Sequence, residues 1–292
     1  MSRVLMRFGG VTTAWCCLSL LASAATPATA AGDVIVFEKW LPDEARERWG
    51  VSVELWSVRS DGSDLRRLTS GAYDLGASWS PDRTRIAFSR VGQIHVLRLE
   101  DLRLVKLATD RTTQFPEWLD NDTLIASSAV GPEEGAQAWR LLSIDLAAGS
   151  TSTLDAGDLV GTFKAELSPD RSRLAFQAWE DGHPKLFLAQ VDDLAETATA
   201  ILHEGAYPSV WAPDGDLLMI QRGGVTCEAI SPDGKRKKAP VKADECNLAW
   251  SPSGEQLVFQ VDDSLWIMDA NGRNRRPLVK PDDDARLKGL AW

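Results

Sequence analysis

A chain of 292 residues has room for one large domain or two small ones. Its 42 acidic residues outnumber the 32 basic ones, for a net charge of −10 at neutral pH. Such a balance repels phosphate backbones and argues against nucleic-acid binding.

Residues 1–30 read as an export signal. Arg3 and Arg7 make a basic start, Val11 to Ala25 is mostly apolar, and Ala28-Thr29-Ala30 offers a small-x-small cleavage site. The apolar run is short for a membrane span, and small and polar residues follow it, which argues against a retained anchor. Cys16 and Cys17 raise the possibility of a lipoprotein, but Trp15 is too bulky to precede a lipidated cysteine. Removing the segment takes away two positive charges and leaves −12. The chain is therefore expected in the periplasm or outside the cell, with residues 31–292 as a single domain that does not span the membrane.

An apolar strand is expected at Val34–Phe37 and another at Val53–Val58, separated by a polar insert from Leu41 to Gly50. Trp40 and Trp49 bracket this insert. They either line a partner surface or fold back on the adjoining strands. Then comes a recurring unit of strand, tight turn and second strand. It is clearest in Leu248-Ala249-Trp250-Ser251-Pro252-Ser253-Gly254, which leads into Leu257-Val258-Phe259. Proline fixes φ for the second turn position, and glycine supplies a positive φ after it. Trp79-Ser80-Pro81-Asp82, Leu167-Ser168-Pro169-Asp170 and Trp211-Ala212-Pro213-Asp214-Gly215 are further copies, and Trp118-Leu119-Asp120-Asn121-Asp122 is a degraded one. The anchors Trp79, Trp118, Leu167, Trp211 and Trp250 are separated by 39, 49, 44 and 39 residues. A period near 40 with several strands per period points to propeller blades. A second sub-motif, strand then Asp/Asn-Gly hairpin then short outer strand, occurs at Trp56–Leu68, Glu228–Gly234 and Trp266–Leu278.

At these residues the sequence resembles the TolB-like propeller repeat family, whose unit reads W-S-P-D-G-x-x-I-A-F followed by a strand and an A-D-G-S turn. Arg83 and Arg171 depart from it, standing where the repeat has glycine. A non-glycine residue at positive φ costs about 1 kcal/mol, which a large domain tolerates. The resemblance implies an all-β propeller and a role in the cell envelope. TolB itself carries a separate domain before its propeller, whereas this chain is expected to pass from signal to first blade directly.

The last four residues, Gly289-Leu290-Ala291-Trp292, repeat Asn247-Leu248-Ala249-Trp250, and Trp292 lies 42 residues after Trp250. The first strands of the domain lack such an opening strand. The expectation is a six-bladed β-propeller of four-stranded blades, closed by pairing the C-terminal strand with the N-terminal blade. The abundant tryptophans, 12 against 2 tyrosines, fit rings that fill the wedges between blades.

After export two cysteines remain, Cys227 and Cys246; in an oxidising compartment they can form one disulfide between neighbouring blades, the alternative being two buried or free thiols. Aligned on the turn glycine, Cys227 matches Leu55 and Leu265. No metal or cofactor site is expected, because the paired cysteine spacing of metal sites is absent. His95 falls where Trp56 and Trp266 stand in other blades and reads as a structural or surface residue. His183 and His203 read as loop or edge residues, so no histidine-based catalytic centre is assembled. There is no G-x-S-x-G elbow and no phosphate-binding glycine loop. Asp82, Asp170 and Asp214 are turn formers, Asn121-Asp122-Thr123 is a hairpin turn despite matching a glycosylation sequon, Lys235–Lys238 is a solvated outer-strand face, and Asp282–Asp284 is a loop. No catalytic residue is nominated. The leading expectation is a monomeric, non-catalytic scaffold that binds another protein. A lyase or hydrolase at the channel mouth, and a cation- or small-ligand-binding module, are the alternatives. Carboxylates and a basic residue converging on one rim would favour the enzyme.

Overall fold

A computed structural model of the chain describes residues 33–42, 50–70, 73–107, 109, 112–129, 139–202, 205–222, 226–242, 247–282 and 284–292. The expected export signal, most of the Leu41–Gly50 insert, Trp49, His203, Cys246 and Asp283 lie outside the described residues. Among those described there are six four-stranded sheets, all antiparallel, and one short helix, Leu194–Thr197. Numbered along the chain, the blades open on inner strands Arg286–Ala291 (blade 1), Asp74–Trp79 (2), Thr113–Trp118 (3), Val160–Leu167 (4), Ala206–Trp211 (5) and Leu248–Trp250 (6). Every anchor residue predicted from the repeat ends its inner strand, apart from Trp292, which follows its own.

The turns after Trp79, Leu167, Trp211 and Trp250 close as the sequence requires. The fourth residue of the unit donates its N–H back to the first: Arg83 to Ser80, Arg171 to Ser168, Gly215 to Ala212 and Gly254 to Ser251, at 2.7–2.9 Å. That fourth residue has positive φ in all four, including 60° at both Arg83 and Arg171. The serine hydroxyl accepts from the start of the second strand, Arg85 N–H on Ser80 at 2.9 Å and Arg173 N–H on Ser168 at 2.9 Å. Asp82 and Asp170 accept from that serine and from the residue two further on. These bonds hold the Asp170 carboxyl down at about 2.

The core lies between blades. Six hydrophobic clusters among the described residues correspond to the six blade-to-blade interfaces. Trp118, fully buried, donates its indole N–H to the Ser78 carbonyl of the preceding blade at 3.2 Å, and Trp211 donates to Glu166 in the same way at 3.3 Å. Arg85 lies over the Trp118 ring and Arg173 over the Trp211 ring, each reaching from the preceding blade. The tryptophan positions thus join neighbours by apolar area, one hydrogen bond and a cation–π contact.

The ring closes as expected. Strand Arg286–Ala291 pairs antiparallel with Val34–Pro42, with Trp40 opposite Arg286 and Val36 opposite Ala291. The first strand is longer than the sequence suggested. It continues through Trp40, Leu41 and Pro42, which face Val53, Ser52 and Val51 of the next strand. The residues read as the start of an insert are therefore the end of a hairpin arm, because pairing across it outweighs their polar neighbours. Leu287 is buried between blades 1 and 6, and Leu290 and Trp292 pack on the same cluster. Gly289 has φ +54°, and a Cβ there would lie 2.1 Å from Cδ of Glu38, so the seam is cut to fit a glycine.

Candidate functional site

The six inner strands surround a funnel of about 660 Å³ that opens on the face carrying the anchor turns. Its wall is shaped by a recurrent irregularity. Three residues before the anchor, the backbone has positive φ at Gly76, Phe115, Lys164 and Gly289, between 47° and 63°. The ladder skips at the same place, between Leu75 and Ser78, Gln114 and Glu117, and Phe163 and Glu166. Such a bulge breaks strict alternation, so residues on both sides of it can reach the channel. The freed N–H groups are used between blades. Gly76 donates to Glu38 and Lys164 to Ser127, each at 2.9 Å, and both acceptors sit at the same place on the second strand of the preceding blade.

Glu117 and Glu166, each one residue before an anchor, come from adjacent blades and lie within each other's electrostatic field. Burial pushes the Glu117 carboxyl up to about 7, against the pull of Arg171 and then Lys164. Burial, reinforced by the Glu117 charge, holds Glu166 well above the usual carboxylate range. Two neighbouring carboxyls placed in this way hold their protons to higher pH than a free carboxyl does. Arg171, from the turn of blade 4, donates to the Trp118 carbonyl and is the main counter-charge of Glu117. Arg83, its equivalent in blade 2, lies 4.0 Å over the Trp79 ring and donates to the Val34 carbonyl at 3.3 Å. Burial lowers Arg83 to about 10.

On the opposite side of the ring, Glu38 is buried and raised by desolvation, offset by bonds from Gly76 and from the Trp40 indole at 3.0 Å. Lys288 stands 5.0 Å over the Trp40 ring, and Tyr73 meets that ring edge-on at 5.7 Å. Trp40 therefore folds back on the domain. An aromatic group from blades 3 to 5, with Phe163 in contact with Phe115, Trp139 and Tyr207, adjoins Lys164.

These residues were missed in the sequence because they differ from blade to blade. Their signal was positional: aligning the four residues before each anchor would have put Glu117, Glu166, Lys164 and Lys288 in wall columns. The residues singled out from the sequence lie elsewhere. His95 is buried in blade 2, opposite Phe88 in the ladder and stacked on it at 5.9 Å, as Trp56 is opposite Phe37. His183 is exposed at the start of its strand. Cys227 is buried opposite Gln221, as Leu55 is opposite Glu38 and Leu265 opposite Gln260, and it is disulfide-bonded. Its expected partner, Cys246, is not among the described residues. No cluster of three or more His, Cys, Asp or Glu side chains among the described residues is placed to hold a metal ion. None of the described helices is long and apolar enough to cross a membrane.

The raised carboxyls make a prediction with a definite sign. In the unfolded chain they lose their protons near 4.5, while the folded chain keeps them to higher pH. Folding therefore binds protons, and stability falls as pH rises from about 4.5 through about 7, by roughly 1–3 kcal/mol. Denaturant titrations across that range should show the decline, and Glu117→Gln with Glu166→Gln should flatten it. An equal slope in that variant would remove these residues as its source.

No protein-family model matches the sequence, and no curated protein matches it. Solved structures do. TolB from Acinetobacter baumannii superposes with a TM-score of 0.66 at 17% identity, over 89% of this chain and 66% of that one, so the chain spans just under two thirds of that protein's length. A putative TolB from Agrobacterium tumefaciens gives 0.59 at 16% identity, over 88% of this chain and 98% of that one. A chain of a nidogen/laminin complex gives 0.63 at 13% identity, over 88% of this chain and 97% of that one. With its blade count, strand order and closing seam, the chain is a six-bladed β-propeller with the fold of the TolB proteins.

Proposed function

We propose that the chain is an exported, non-catalytic scaffold of the cell envelope that binds another protein through the funnel face of its propeller. The observation that carries this reading is the funnel itself: a broad opening walled by all six blades, mixing aromatic rings, charged groups and apolar turns. Likeness of fold to the TolB structures supports the envelope setting, and a propeller of similar fold in a nidogen/laminin complex supports protein binding. The leader expected at residues 1–30 supports export, and the disulfide at Cys227, proposed to run to Cys246, fits an oxidising compartment.

A second reading has one specific observation in its favour. Glu117, Glu166 and Lys164 converge on one side of the channel, and a carboxyl near 7 beside a second one can do acid–base work. The scaffold reading is preferred because the counter-charges Arg171 and Lys164 are already built beside the pair. Affinity capture from an envelope extract separates the two. A stoichiometric protein retained by the intact chain supports the scaffold. No retained protein, together with turnover of a saccharide or peptide panel that Glu117→Gln abolishes, supports the enzyme.

A further inference from the structure

We propose that the funnel receives an acidic segment of the partner protein, anchored by the ammonium groups of Lys164 and Lys288. This rests on the protein-binding reading and names the chemistry of the partner.

Charge is the first ground. Acidic residues exceed basic ones by ten along the chain, yet the funnel wall reverses the sign. Arg83, Lys164, Arg171 and Lys288 line it against three acidic side chains, Glu38, Glu117 and Glu166. Burial raises all three carboxyls, Glu117 to about 7, so the wall carries less negative charge than free carboxylates would give it. A positive concavity in a negative protein focuses field on its opening and selects anionic segments.

Placement is the second. Lys164 belongs to blade 4 and Lys288 to blade 1, which stand opposite one another in a six-membered ring. Each ammonium lies over aromatic faces, Lys164 about 6 Å from Phe115 and Tyr207, and Lys288 5.0 Å from Trp40. Among the described residues neither ammonium donates a hydrogen bond or makes an ion pair, although each lies in the field of a carboxyl, Lys164 of Glu117 and Glu166 and Lys288 of Glu38. The two arginines differ, being engaged by backbone carbonyls of Val34 and Trp118. Two half-buried ammoniums with no hydrogen-bonded acceptor, facing a common opening, suit carboxylates spaced along an extended peptide.

The charged groups around them set the pH behaviour. Glu117 faces Arg171, Lys164 and Glu166, while Glu38 faces Lys288 and Asp74, the latter held by Arg90 at 2.7 Å. As Glu117 loses its proton the funnel becomes less positive, so an acidic peptide binds more weakly as pH rises.

The test uses the full chain and a fluorescent heptapeptide of alternating glutamate and glycine, with glutamine and lysine counterparts, read by anisotropy. The glutamate peptide should bind, more tightly at about pH 6 than at about pH 8, and Lys164→Gln with Lys288→Gln should weaken it about tenfold or more. Equal binding of the glutamine peptide, or full affinity in the double variant, overturns the proposal. Thermal melts establish that the variant is folded; if it is not, the single variants carry the same comparison. A double variant that loses the glutamate peptide but keeps its captured envelope partner overturns the acidic-segment assignment and leaves the scaffold reading standing. Failure of the intact chain to capture any protein overturns that reading instead.

Discussion

A chain ending at Lys288 should melt roughly 10 °C or more below the full chain. The four residues removed, Gly289 to Trp292, contain the end of the strand that pairs with Val34–Pro42. They also bring Leu290 and Trp292 onto the cluster between blades 1 and 6, and Ala291 onto the one between blades 1 and 2. Fully burying a leucine-sized side chain is worth about 1.5–3 kcal/mol, and Leu290 and Trp292, both partly buried, each contribute a share of that before any strand bond is counted. The loss also removes the pairing of Ala291 with Val36, leaving part of the first strand with an open edge and uncovering apolar surface on both neighbouring blades, so the damage spreads beyond four residues. Gly289→Ala is a one-carbon version of the same experiment. Its Cβ would meet the buried Glu38 side chain while the backbone stays at positive φ, so it should destabilise without shortening the chain. Unchanged melting of both variants would show that the seam does not hold the ring.

Trp118→Ala should cost about 3–5 kcal/mol. The ring is fully buried in the wedge between blades 2 and 3, under Arg85 and bonded to Ser78. Its blade lacks the proline of the other turns, and its turn is held instead by Asp120, which accepts from Asp122 N–H at 2.7 Å. The anchor therefore carries more of the local organisation here. Trp118→Phe keeps most of the packing and removes the indole N–H, leaving the Ser78 carbonyl short of a donor, for about 1 kcal/mol. Chemical denaturation of the two variants reads the difference. Equal, small losses would mean that the wedge is filled by something other than this ring.

The fold was legible because its signals repeat. Tryptophan, serine and proline recur at a fixed period, each for a local reason: a wedge to fill, a turn to cap, a φ to fix. The closing strand was legible for the same reason, since Gly289–Trp292 copies Asn247–Trp250. Even the departures read correctly as tolerable, as Arg83 and Arg171 both take the positive φ that glycine would have had. The first hairpin was misjudged at its tip, where pairing carries Leu41 and Pro42 although their composition suggests a loop.

The candidate site was not legible, because a pseudo-symmetric ring makes function by breaking its own repeat. Glu117 stands where blade 2 has Ser78 and blade 5 has Val210, and Lys164 stands where blades 2 and 1 have glycine. No single one of these residues forms a motif. They become a site only when the ring places blade 4 across from blade 1 and when burial in the funnel raises the carboxyls. The aromatic faces beneath Lys164 and Lys288 likewise come from other strands and cannot be read from local spacing.

The proposal that protein binding occurs at the funnel face is tested most directly by site-specific photocrosslinking in an envelope extract. A benzophenone amino acid at Ser209, on the funnel wall, is compared with one at Thr151, exposed on an outer strand. Adducts to one discrete protein from Ser209 and none from Thr151 are the expected result. The same protein captured from Thr151 alone would contradict it.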